Sequence, residues 1–147
     1  MVALHRLSLM PVAALAALLL SSSAAAADQV GDSVVADVNV HRVLAGAPPL
    51  KASRALRRSS RRWARRLARR GVLRHSRMRD HRGDFRRLAE VIARHPGRHP
   101  SAHTAVVAWM NSPAHRAVLL DPGLRLIGVG HAPGKRATFW VARLAAP

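Results

Sequence analysis

The sequence predicts an α+β domain, with helices through most of the chain and strands concentrated near its end. Three observations carry that expectation. Residues 53–70 repeat apolar side chains every three or four positions, the period of one helix face. Residues 124–132 and 137–145 are short runs rich in Val, Ile, Leu, Phe and Trp, joined by Pro133-Gly134-Lys135-Arg136, as two strands around a turn would be. A chain of 147 residues that is 49% apolar has room for one domain with its own core and is not disordered by composition.

Taken in order, residues 1–27 have the pattern of a secretory signal peptide. His5 and Arg6 make a short basic start, Leu7 to Leu20 is apolar apart from Ser8 and Pro11, and a small-residue tract ends in Ala25-Ala26-Ala27. A run of about 14 apolar residues is too short to span a bilayer. The expected division is a signal peptide over 1–27 and one exported domain over 28–147. The chain carries 25 basic and 7 acidic residues, a formal charge of +18, and only one arginine leaves with the signal peptide. Such a charge favours anionic partners of any kind. There is no cysteine, which excludes disulfides and thiolate chemistry.

Residues 32–45 read as a helix with Val34, Val35, Val38, Val40, Val43 and Leu44 on its apolar face, ended by Gly46 and Pro48-Pro49. The helix over 53–70 places Leu56, Ser60, Trp63, Ala64, Leu67 and Ala68 on one side, and Gly71 suits its C-cap. Arg58, Arg61, Arg62, Arg65, Arg66 and Arg69, with Arg57 and Arg70, fill much of the remainder. This surface is either the solvated side of a packed helix or a docking surface for an anionic envelope polymer or membrane. No helix-turn-helix, zinc-finger or RNA-binding pattern accompanies it, and export argues against a specific nucleic-acid partner.

His75 follows the apolar pair Val72-Leu73 and either caps the helix end or serves a site. His81 falls in a polar loop. Residues 85–94 read as a strand interrupted by Glu90, the only glutamate in the chain. A carboxylate there is costly unless paired or liganded, so it either bridges to an arginine or belongs to a site. His95, His99 and His103 with Pro96 and Pro100 form a loop whose spacing matches no metal motif. Ser101 caps a helix over 102–110 that buries Val106, Val107 and Met110. From Trp109 to Leu120 one helix ends and another begins. Ser112 is placed to cap with its hydroxyl, and Pro113 sits where a missing N–H costs nothing. His115 lies in the first turn, where the helix dipole favours a neutral ring. Asp121-Pro122-Gly123 then turns the chain into the two strands.

Seven blocks occur in a fixed order: Asn39-x-His41-Arg42 with Gly46-x-Pro48-Pro49-Leu50, the long helix, His75-Ser76, Ala89-Glu90-x-Ile92-Ala93, Ala108-Trp109-Met110-Asn111-Ser112-Pro113-x-His115-Arg116, Ile127-Gly128-Val129-Gly130, and Phe139-Trp140-Val141. Together they resemble the bacterial SCP-like branch of the CAP superfamily, the cysteine-rich secretory, antigen 5 and pathogenesis-related 1 proteins. The resemblance covers residues 34–144 and implies an α-β-α sandwich with a small antiparallel sheet between helices.

It also implies a central cleft with two histidines and acidic residues, which in some members bind zinc or another divalent cation. By position these are His75, His115 and Glu90. Ala89 and Val91 stand where the family has Gly and Asn, Ala114 replaces a Gly, and Ser112 falls near the position of a second acid. The ligand set is therefore at most His75, Glu90 and His115. Two neutral imidazoles and a carboxylate suit Zn²⁺ with one position left for water, although the surrounding positive charge opposes a dication.

Three functions follow as expectations. One is a secreted, monomeric binding module with its cleft for a small apolar or cell-envelope ligand. Another is a metal-assisted hydrolase with water on a bound ion or Glu90 as base. The third is a cationic envelope-binding or antimicrobial protein. The absence of cysteine and of a Ser-His-Asp motif favours the binder over an enzyme.

Overall fold

The computed structural model describes residues 12–78, 84–98 and 101–147. Residues 1–11 of the expected signal peptide, and His81 and His99, lie outside them. The elements are α1 (Val12–Leu44), β1 (Lys51–Ala52), α2 (Arg54–Arg70), β2 (Arg87–Pro96), α3 (Ala102–Met110), α4 (Pro113–Leu120), β3 (Leu126–Pro133) and β4 (Ala137–Ala146). No helix among the described residues is long and apolar enough to cross a membrane.

The caps explain most helix boundaries. Ser53 and Ser101 accept the backbone N–H groups of Leu56 and Thr104 through their hydroxyls, and Gly71 closes α2 in the left-handed region at φ 68°. Ser112 occupies the N-cap of α4 but makes no side-chain cap bond, contrary to expectation. Pro113 at the first helical position has already removed one free donor, and the Ser112 carbonyl accepts from Arg116 N–H at 2.8 Å.

The first helix starts well before residue 32, and its buried stripe differs from the expected one. Val34 and Val38 are fully buried, whereas Val40, Val43 and Leu44 are 57–81% exposed. The inward position one turn after Val38 belongs to Arg42, which is itself fully buried. Its guanidinium donates to four main-chain carbonyls: Nε to Pro48 at 2.8 Å, Nη1 to Leu119 and to Asp121, and Nη2 to Leu124 at 3.1 Å. One turn earlier, Asn39 exchanges two bonds with the backbone of Leu50. These two polar side chains therefore tie α1 to the loop before β1 and to the α4–β3 turn.

The strands form one sheet in the order β1-β3-β4-β2. β4 runs antiparallel to β3 and β2, but the two-residue β1 pairs parallel to β3, so the sheet is mixed rather than wholly antiparallel. Side chains alternate across it. On one face Val91, Ala93, Ile127, Val129, Trp140, Ala142 and Leu144 pack with Val34 and Val38 of α1, Val106 and Trp109 of α3 and Leu119 of α4. On the other, Ile92, Phe139 and Val141 pack with Trp63, Ala64 and Leu67 of α2. The α-β-α sandwich is thus two apolar layers separated by one sheet.

Two glycines let α2 lie directly on β3. A Cβ at Gly128 would stand 2.1 Å from the Arg57 nitrogen, and one at Gly130 would stand 2.3 Å from that of Arg61. Ser60 Oγ also donates to the Gly128 carbonyl at 2.8 Å. Because the obstruction is helix backbone, Gly128→Ala should destabilise the protein by about 3 kcal/mol in chemical denaturation. Arg42→Met should cost at least about 3 kcal/mol, because it strips donors from several carbonyls at once. Loss of either effect would show that these contacts do not hold the layers together.

Candidate functional site

The site forms where α2 passes over β4 and the chain returns through residues 72–78. Glu90 in β2 and Arg143 in β4 face each other in register, and Gly128 is Arg143's partner on β3. Both side chains are only 2% exposed, and Arg143 Nε donates to Glu90 Oε2 at 3.1 Å. Of the two readings of Glu90, pairing with an arginine is the one the structure shows.

The carboxylate also organises the segment after α2. Ser76 N–H donates to Oε1 at 2.8 Å and Ser76 Oγ donates to Oε2 at 2.6 Å. His75 Nδ1 lies 3.1 Å from Oε1, and with a carboxylate as acceptor that nitrogen carries the proton. Arg143 Nη2 in turn donates to Ser76 Oγ at 2.9 Å, as does Met78 N–H at 3.3 Å. Met78 holds a left-handed backbone at φ 47°, uncommon for a residue with a side chain.

A cavity of about 320 Å³ opens beside this network, lined by Trp63, Arg66, Arg74, His75, Ser76, Arg77, Met78 and Arg143. A second of about 210 Å³ adjoins it through Trp63, Arg66 and Arg143. Trp63 Nε1 donates to the Arg74 carbonyl at 3.1 Å, which pins the return segment onto α2.

The expected trio is therefore only partly assembled. His75 and Glu90 touch, and His115 does not line the cavity. His115 sits partly buried in the first turn of α4 and makes no hydrogen bond to either. Burial lowers its pKa, and the charge of His75 lowers it further, so the two rings sense each other electrostatically. Burial is the larger of these two causes. A dication does not fit this donor set. Both Glu90 oxygens already accept two donors each, one of them a guanidinium. Among the described residues no three His, Asp or Glu side chains converge.

The arginine surface also differs in part. Arg58, Arg62, Arg65, Arg66 and Arg69 are exposed, but Arg61 turns back toward α1 and binds Asp28 at 2.6 Å. Arg57, one turn earlier, pairs with Asp32 and lies 3.7 Å from Asp28. These two positions face α1, so they link the helices rather than offer charge to a ligand. His103, expected in a loop, lies on α3 and bonds Asp37 at 2.9 Å.

Sequence reasoning missed Arg143, Ser76 and Trp63 as site residues. A signal was present for the first, since Arg143 is the lone charge in the apolar run 137–146, as Glu90 is within 88–93.

The model of the cysteine-rich secretory protein family, CAP, matches residues 35–144. No curated protein matches the chain in sequence. Among solved structures, an outer surface protein from Borrelia burgdorferi superposes with a TM-score of 0.68 at 18% identity, covering 78% of this chain and 90% of that one. An extracellular SCP-domain protein from Bacillus anthracis gives 0.68 at 19% identity, over 82% of this chain and 41% of that one. A cysteine-rich secretory protein from Staphylococcus aureus gives 0.62 at 20% identity, over 82% and 39%. The chain spans about two fifths of the latter two. At these identities the likeness is one of fold.

The lowered His115 pKa has a sign that can be checked. As pH falls through the ordinary histidine value of 6.5, the unfolded chain takes up this proton before the folded one. His115 therefore contributes stability above that pH and loses it as the solution acidifies toward its folded value. Followed by NMR, His115 should titrate below 6.5, and His75→Ala should move it upward by removing the second cause. An unchanged midpoint would separate the two histidines.

Proposed function

The chain belongs to the CAP family of cysteine-rich secretory proteins, and from that premise we propose that it is an exported binding module. Its cleft beneath α2 holds a small ligand or a segment of cell-envelope material. The observation that carries this reading is a polar network at the wall of an open cavity in which both Glu90 oxygens and the Ser76 hydroxyl are engaged. Glu90 has no oxygen left to act as a general base, since each already accepts two donors. Ser76 Oγ gives its proton to Glu90 and accepts from Arg143 and Met78, so no lone pair is left for attack. Such an arrangement rigidifies a wall and presents it to a ligand.

Export rests on the signal-peptide pattern of residues 1–27. It also accords with the Bacillus protein being extracellular and the Borrelia protein being an outer surface protein. The outward arginines of α2 supply a secondary attraction to anionic envelope polymers, which salt screens over about 8 Å at physiological strength.

The test is co-sedimentation of the purified protein with an envelope fraction. Binding should saturate, and His75→Trp, which fills the mouth of the cleft, should weaken it about tenfold or more. Arg58→Gln with Arg69→Gln should reduce it less and flatten its salt dependence. A filled cleft that binds normally would move the function to the arginine surface, and fragments released from the envelope on incubation would make the protein an enzyme.

A further inference from the structure

At the floor of the cleft a charged donor is left unspent. Arg143 is 2% exposed, its Nε is committed to Glu90 and its Nη2 to Ser76, yet Nη1 is buried with no hydrogen-bond partner among the described residues. Buried donors of this kind are rare, and one on a cation forgoes a strong bond. The same side chain lines both adjoining cavities. We propose that Arg143 Nη1 is the inner anchor of an oxyanion site that takes a phosphate group.

Charge and geometry select that class. Arg143 is offset by Glu90, whereas neither Arg66 nor Arg74 forms an ion pair among the described residues. Both are held in place at the cavity wall. Their guanidinium carbons lie 5.5 and 5.8 Å from the centroid of the Trp63 ring, and Trp63 also binds the Arg74 carbonyl. With Arg77, which also lines the cavity and forms no ion pair among the described residues, these two arginines set uncompensated positive charge beside a neutralised pair, which favours a dianion over a monoanion. The donors come from three separate elements, Arg143 from β4, Arg66 from α2 and Arg74 from the 72–78 segment. A tetrahedral group with three outward oxygens can meet all three, whereas a planar carboxylate offers only two. A cavity of about 320 Å³ is larger than a phosphate needs and leaves space for the remainder of an ester.

This inference rests on the cleft being a binding site and specifies what it binds. Calorimetry on the exported protein with inorganic phosphate and with glycerol phosphate tests it. Both should bind at one saturable site, with acetate about tenfold weaker. Tighter binding of glycerol phosphate assigns the group to an ester and equal affinity assigns it to the free ion; either sustains the site. Arg74→Gln should cost about tenfold, and so should Arg143→Lys, which keeps a charge opposite Glu90 but loses the fork. Arg65→Gln, which removes the same charge from α2 without lining either cavity, should have no effect. Absence of saturable phosphate binding overturns the proposal, as does an equal loss in Arg65→Gln and Arg74→Gln, which would reduce it to general counter-ion attraction. If the envelope still binds through the cleft but phosphate neither binds nor competes, the oxyanion site is wrong and the binding module stands. If phosphate binds as described and the envelope does not, the reverse holds.

Discussion

The site depends on one constraint: a carboxylate placed inside a sheet has to be neutralised. Glu90 meets it with Arg143, its neighbour on the adjacent strand, and the pair lies under α2 away from water. Burying two charges costs desolvation that their attraction does not reliably exceed, so the value of the pair lies in what it positions. The remaining lone pairs of Glu90 collect Ser76 and His75, which brings the chain after α2 back against the sheet. The rest of the guanidinium reaches Ser76 and the cavity floor. The wall of the cleft is in this sense an extension of one ion pair.

The helix above that pair lies close on the sheet. Gly128 stands beside Arg143 on the neighbouring strand, and with Gly130 it lets helix backbone rest on strand backbone. The opposite layer uses a similar device. Arg42 occupies a position on α1 that an apolar residue would ordinarily take, and its donors satisfy carbonyls that the turns around it leave open. Arginine thus serves this protein in two ways. A few are buried and hold its architecture, while those on the outer side of α2 meet solvent.

The same economy bears on function. Each Glu90 oxygen already accepts two donors, so a metal or a substrate proton would have to displace one of them. The family's fold is retained, but here Arg143 bridges Glu90 and Ser76, and His115 stands off from the cavity. Family membership therefore defines the fold, and the local chemistry decides what the cavity beside Glu90 can do.

The sequence by itself determined the element types, the sandwich through its family blocks, and the isolation of Glu90 as a residue needing a partner. Those features are written in local periodicity, in cap residues such as Ser53, Ser101 and Gly71, and in the ordered motifs. It also made Arg42 and Arg143 look like two among many basic residues. Which arginine meets the carboxylate is decided by strand register, and which of Arg57, Arg61 and Arg66 turns toward α1 or the cleft is decided by how α2 seats on the glycines. The outward turn of Val40 and Val43 likewise depends on which side of α1 finds the sheet. Partners distant in sequence are chosen only when the layers close, because hydrophobic spacing specifies a face but not the residue opposite it.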